Sequence, residues 1–166
     1  MASVVIIMGS KSDLPHAQAI VDALDAFGVS SEMRVASAHK SARHVLSMLA
    51  AYEEEPGPRV IVTIAGRSNA LGGMVDANTT WPVITCPLVS STFAGADIFS
   101  SLRMPSGVAP LLVLEPSGAA LAAAKILALG DSALRERLRA YQSNLTDAIV
   151  TDDQDVRAGS QPAGDS

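Results

Sequence analysis

The chain has 166 residues, 48% of them hydrophobic and 17% charged, proportions that suit one globular domain with a filled core. A formal net charge of −5 without any Lys/Arg run argues against nucleic-acid or anionic-membrane binding as the main activity. A lone cysteine, Cys86, excludes an intrachain disulfide and a multi-cysteine metal site and suits a reducing cytoplasm, and three scattered histidines make no zinc motif.

The first element is the apolar run Val4–Met8, read as a strand; with no basic segment before it and a glycine directly after it, it is a poor signal peptide. A helix follows, with Ser12 or Asp13 as N-cap, Pro15 in its first turn, Ile20, Val21, Leu24 and Phe27 as its apolar face and Gly28 at its end. Further strands are expected near Glu32–Val35, Val60–Ala65, Val83–Cys86 and Leu111–Leu114. Between them lie a helix from about Ala42 to Glu54, stopped by Pro56-Gly57-Pro58, and shorter helical pieces around Leu71–Ala77 and Ala96–Leu102. The Glu53-Glu54-Glu55 run reads as a solvated helix end. Pro116–Leu129 is a helix apolar nearly all round, too short and too interrupted by Lys125 to span a bilayer. After Gly130-Asp131 an amphipathic helix carries Leu134, Leu138, Tyr141, Leu145 and Ile149 at helical spacing. Strands alternating with helices predict an α/β, flavodoxin-like three-layer fold around a parallel sheet of five or slightly more strands, plus this C-terminal amphipathic helix. Residues 1–150 read as one domain, and the acidic segment 151–166 as a disordered tail. The apolar fifth helix and sparse charge predict surface hidden between subunits.

In such sheets ligands bind beyond the carboxyl ends of the strands, so the loops there carry the functional reading. The first, Gly9-Ser10-Lys11-Ser12-Asp13, combines a glycine turn with hydroxyls and a helix N-terminus, which suits a phosphate or ribose and equally suits an ordinary capped turn. The second, Ser37-Ala38-His39-Lys40, places a histidine able to move a proton near neutral pH beside a cation able to hold an anion. His16 and His44, on helices, read as structural. The third, Ala65 to Gly73, has small residues that let a ligand approach the backbone and one planar donor, Arg67; its spacing is neither a Walker loop nor a dinucleotide fingerprint. Ser101–Gly107 is either a plain connection or a contact with ligand or a neighbouring subunit, with Arg103, Pro105 and Ser106 as the candidates for that contact. Cys86, with nothing nearby to lower its pKa, reads as a core thiol.

With these loops assembled, the chain from about Val4 to Ile149 resembles the aminoimidazole ribonucleotide carboxylase family. The carriers are Met8-Gly9-Ser10-Lys11-Ser12-Asp13, Arg34-Val35-Ala36-Ser37-Ala38-His39-Lys40, Ala65-Gly66-Arg67-Ser68-Asn69-Ala70-Leu71-Gly72, Pro82-Val83-Ile84-Thr85-Cys86-Pro87 and Ser100-Ser101-Leu102-Arg103-Met104-Pro105-Ser106-Gly107. The sequences Ser-Ala-His-Lys and Gly-Arg-Ser-Asn are those of the class II branch, where class I mutases have Ser-Ala-His-Arg and Gly-Ala-Ala-His. The resemblance implies a carboxy-lyase of purine biosynthesis that joins carbon dioxide, supplied from bicarbonate, directly to aminoimidazole ribonucleotide. It also implies a cytoplasmic homo-octamer without metal or organic cofactor, and no nucleic-acid or membrane partner.

Residue by residue, the resemblance assigns the ribose phosphate and ribose to Ser10, Asp13 and Ser12 beside Gly9, and the phosphate end also to Ser37 and Lys40 beside Ala38. His39 is the implied proton-transfer residue, with Lys40 and Ser68 in supporting catalytic roles. Gly66, Arg67, Ser68 and Asn69, flanked by Ala65 and Leu71, are expected to close over the ring and the carboxyl group. Ala70 stands where the family pattern has glycine. Three other readings remain open at this level: a class I mutase acting on the carboxyamino compound, a non-catalytic nucleotide- or flavin-binding module, and a structural oligomer that has lost activity.

Overall fold

The computed structural model describes residues 3–159. Five parallel strands, β1 (Val4–Met8), β2 (Ser31–Val35), β3 (Val60–Ile64), β4 (Val83–Thr85) and β5 (Leu111–Leu112), form one sheet in the order β2-β1-β3-β4-β5. This is the flavodoxin-like order, and the chain reverses direction across the sheet between β1 and β3. Helices α1 (Leu14–Asp25), α2 (Ala42–Glu53), α3 (Ala70–Asp76), α4 (Phe99–Leu102), α5 (Pro116–Leu127) and α6 (Ser132–Gly159) complete the chain.

The central strands β1 and β3 are buried along their whole length because both sheet faces are covered. Val4, Ile6 and Met8 point into one apolar cluster with α1, α5 and the start of α6; Val5 and Ile7 point into the other with α2 and α3. Five buried positions of α5 and its C-cap, among them Ala119, Ala120, Ala123 and Ala124, are alanines, which lets α5 lie close to α1 and the sheet. The first helix ends as expected: Gly28 takes φ +65°, and Val29 N–H returns to Leu24 O at 3.1 Å.

Two expectations change. The glutamate run is not simply solvated. Glu53 accepts from Thr79 Oγ1 at 2.6 Å and Thr80 N at 3.0 Å, fastening the end of α2 to the approach to β4, and Glu55 pairs at 2.6 Å with Arg59, which is buried against the Tyr52 ring. The tail also orders earlier than its composition suggests: α6 continues through Thr151 to Gly159, with Thr151 Oγ1 donating to Asp147 O at 2.9 Å. No glycine or proline interrupts the helix before Gly159, so propagation carries it past the last buried side chain, Leu138. The rest of the expected tail, 160–166, lies outside the described residues.

The Thr79 hydroxyl, followed by the Thr80 N–H, holds the Glu53 carboxyl below its ordinary value of 4.5. A carboxylate whose folded pKa is depressed stabilises the fold above the ordinary value, and that contribution is withdrawn as the pH falls through the folded value. Glu53→Gln is therefore expected to flatten the acid side of the stability profile below about pH 4.5, measured by urea unfolding across that range; an unchanged acid slope would contradict it.

Candidate active site

The backbone ladders run past the strand ends and fix four loops to one another. Gly9 N donates to Ile64 O at 2.9 Å, Ala36 N to Met8 O at 2.9 Å and Cys86 N to Thr63 O at 2.9 Å. The loops after β1, β2, β3 and β4 therefore leave the sheet side by side, on the rim where the β1/β3 reversal opens a crevice.

In the first loop a capping box closes over Ser10. Ser10 Oγ accepts from Ser12 N at 3.3 Å, and Ser10 N donates to Asp13 Oδ2 at 3.1 Å. Ser12 Oγ lies 2.9 Å from Ser10 Oγ and 3.2 Å from Asp13 Oδ1, so its single proton serves one of them at a time. The Asp13 carboxylate thus orders the loop as well as facing the crevice. Gly9 is not held to glycine by its geometry: a Cβ there would meet Ile64 O at 3.6 Å, an ordinary contact.

The second loop is one turn of chain. Ser41 N donates to Ser37 O at 2.8 Å and Ser41 Oγ accepts from Ser37 N at 2.9 Å, which leaves His39 and Lys40 at the exposed tip. Ser37 Oγ accepts from Lys40 N at 3.3 Å, so the hydroxyl and the lysine are set by the same turn.

The third loop owes its shape to Arg67, whose φ is +63°. A non-glycine residue in that region costs roughly 1–3 kcal/mol and persists only where its surroundings impose it. Gly66, by contrast, has room for a Cβ, 3.7 Å from the Leu88 Cβ. Asn69, expected to face ligand, does not: it is 3% exposed, accepts from Gly72 N at 3.2 Å as the N-cap of α3, and donates through Nδ2 to Ser101 Oγ at 2.9 Å. The capping preference of asparagine turned it inward.

These loops surround one cavity of about 590 Å³. Gly9, Ser10, Ser12 and Asp13 line it from the first loop, Ser37, Ala38, His39 and Lys40 from the second, and Ala65, Gly66, Arg67, Ser68 and Leu71 from the third. Leu88 and Ser90, which sequence reasoning missed, add a fourth wall. They follow β4, so the strand-end rule alone would have found them. Among the described residues the salt bridges involve Arg34, Arg59 and Arg139, which leaves the Lys40 and Arg67 cations free to face an anion. The lining offers one imidazole, two cations and a row of hydroxyls and backbone amides to a phosphorylated, partly planar ligand.

A family model described as AIR carboxylase matches residues 3–148. The chain belongs to the AIR carboxylase family. It is 55% identical to the phosphoribosylaminoimidazole carboxylase of Archaeoglobus fulgidus, over 92% of this chain and 84% of that one. To the phosphoribosylaminoimidazole carboxylase of Treponema denticola it is 49% identical, over 93% of this chain and 97% of the relative. A crystal structure of Treponema denticola PurE shares the fold with a TM-score of 0.90 at 49% identity, covering 92% of this chain and 96% of that one.

In this AIR carboxylase family member Cys86 stays outside the chemistry. It is fully buried; burial first, then the Glu115 carboxylate, push its thiol up to about 12, so it remains protonated. His16, half-buried, has Nε2 3.3 Å from its sulfur, a contact between α1 and the residue that follows β4. Arg103, Pro105 and Ser106 are exposed and lie away from the cavity lining, where a neighbouring molecule can reach them. Among the described residues no group of three or more His, Cys, Asp or Glu side chains is placed to hold a metal, and no helix is long and apolar enough to cross a membrane.

Proposed function

We propose that this chain is a class II enzyme that carboxylates aminoimidazole ribonucleotide with carbon dioxide, reversibly, in de novo purine biosynthesis. The observation that carries the reading is the convergence of His39, Lys40, Ser10 and the Gly66–Ser68 edge on one cavity at the sheet's reversal point. The direct use of carbon dioxide is favoured by Ser37-Ala38-His39-Lys40 and Gly66-Arg67-Ser68-Asn69, which follow the class II pattern.

The phosphate lies against Ser10, Ser37 and Lys40, with Ser12 and Asp13 toward the ribose. The exocyclic amine already makes the adjacent ring carbon nucleophilic, so the protein's task is to hold the ring and a desolvated carbon dioxide face to face. As the ring carbon attacks, a C–C bond forms and the electron pair of one C=O bond moves onto oxygen. Arg67, Ser68 and the backbone N–H groups of their loop are the donors for that developing carboxylate. The ring carbon then bears both the new carboxylate and its original hydrogen. Neutral His39 removes that proton, restoring the aromatic ring, and returns it in the reverse direction. No step calls for a metal or organic cofactor.

Lys40→Ala is expected to weaken binding of the ribonucleotide by roughly tenfold or more, the value of one charge-assisted contact to phosphate, with the melting temperature unchanged because Lys40 is exposed. Calorimetric titration with the ribonucleotide checks this, and an unaltered binding constant removes the phosphate assignment. The class is tested by giving the purified protein either aminoimidazole ribonucleotide with bicarbonate or the carboxyamino ribonucleotide without it, and following product absorbance. Turnover of the first pair supports class II; turnover of the second alone makes the enzyme a mutase.

We assign the catalysis to residues 1–150 as one domain and the working form to a cytoplasmic homo-octamer. Apolar side chains left on the surface support assembly: Phe99 is 69% exposed, Leu129 79% and Ile149 69%, and the last lies on the outward continuation of the α6 stripe that starts at Leu134. A single buried thiol suits a reducing compartment.

A further inference from the structure

The strained residue at the cavity edge, Arg67, is held by a segment that contributes nothing to the cavity lining. Asn69 N, two residues beyond Arg67, donates to Ser100 Oγ at 3.0 Å. That hydroxyl donates in turn to Asp97 O at 2.8 Å and lies 3.4 Å from Arg67 O. The neighbouring Ser101 Oγ accepts from Asn69 Nδ2 at 2.9 Å, while Asn69 Oδ1 accepts from Gly72 N. Asn69 and Ser101 are 3% and 7% exposed, so water does not substitute for the bond between their side chains. The asparagine cannot slide along α3 either, because its amide atoms sit against the bare Cα of Gly72, where an added Cβ would lie 2.9 and 3.1 Å from them.

A left-handed arginine is stable only if the chain on its far side is pinned, and the pins are the two serines of α4. We propose that Ser100 and Ser101 are positioning residues: acting through Asn69, they keep Arg67 in its left-handed conformation and so aim the Arg67–Ser68 edge at the carboxyl group formed in the cavity. The inference rests on the cavity being the active site. Among the described residues the first and second loops, which build the phosphate end, make no hydrogen bond with α4, so that end is outside its control.

The test compares Ser100→Ala, Ser100→Thr and Ser101→Ala with the unaltered protein. Ser100 is exposed, so its alanine variant is expected to fold normally, and threonine keeps the hydroxyl. The alanine variants should lose roughly tenfold or more in kcat, the value of one hydrogen bond in orienting a transition-state contact. KM for aminoimidazole ribonucleotide should stay within about twofold, and Ser100→Thr should recover most of the rate. Unchanged kcat in both alanine variants, a change in KM alone, or a loss that tracks melting temperature and is not recovered by threonine would each overturn the proposal. Hydrogen exchange of the Asn69 amide, read by NMR without substrate, separates this from failure of the functional reading. Exchange should accelerate in Ser100→Ala even if the protein carboxylates nothing, and unaltered exchange rejects the clamp whatever the activity.

Discussion

His39→Asn is expected to bind aminoimidazole ribonucleotide with an affinity within about threefold of the unaltered protein and to lose roughly 10²–10⁴-fold in turnover, the usual contribution of a positioned acid–base group. The two halves of that expectation come from different parts of the site. His39 stands at the exposed tip of a turn whose hydrogen bonds are made by Ser37, Lys40 and Ser41, so the substitution removes an imidazole and disturbs no packing. The phosphate contacts assigned to Ser10, Ser37 and Lys40 stay in place. Asparagine keeps hydrogen-bonding capacity but cannot take the ring proton, so carbon–carbon bond formation is left without its completing step. Product formation followed by absorbance, beside calorimetric titration of the same preparation, checks both halves. A near-normal rate would remove His39 from the chemistry; lost binding would make it a ligand-holding residue instead.

Gly72→Ala is expected to be the most damaging small change to the fold, by about 2–3 kcal/mol. A Cβ at that position would stand 2.3 Å from Thr85 Cγ2, and Thr85 is a β-branched residue at the end of β4, 1% exposed, with its own hydroxyl donating to Leu111 O at 3.2 Å. Relief requires lifting α3 from β4 or turning the buried threonine. In a domain of this size such a loss lowers the melting temperature by roughly 4–12 °C. Because Gly72 also carries the Asn69 amide, turnover should fall beyond what the lost stability explains. Gly9→Ala is the control, since its nearest neighbour would be 3.6 Å away: its melting temperature should match the unaltered protein. Equal melting temperatures for all three proteins would contradict the packing account.

The sheet was legible because its centre is covered on both faces. Val4–Met8 reads as an unbroken apolar run and Val60–Ile64 as one broken only by Thr63, and the helices between them are stopped by Gly28 and by Pro56-Gly57-Pro58. At the edges the same signal faded: β5 keeps only Leu111–Leu112 of the four residues expected, with Leu111 half exposed, and β2 begins one residue earlier than its apolar content indicated. The cavity was legible from topology, since three strand-end loops carry visible chemistry. Leu88 and Ser90 escaped because the stretch from Pro87 to Ser90 holds no charged or titratable residue to draw notice, and the thiol before it, Cys86, reads as core. Asn69 was misread for the opposite reason: its chemistry suits a ligand, yet its position at a helix start gave the side chain a backbone partner three residues on. The strain at Arg67 and the serine pins 31 and 32 residues from Asn69 in sequence had no local signature, because they depend on where α4 packs. Likewise the acidic composition of 151–159 masked the absence of any helix breaker before Gly159.

The convergence itself is best tested by a crystal structure of the His39→Asn protein soaked with aminoimidazole ribonucleotide. The phosphate is expected against Ser10, Ser37 and Lys40, with the ring carbon facing residue 39 within proton-transfer reach, roughly 3 Å from where the imidazole nitrogen stood or one water away. A ribonucleotide seated outside this cavity, or lying in it with the ring turned away from residue 39, would contradict it.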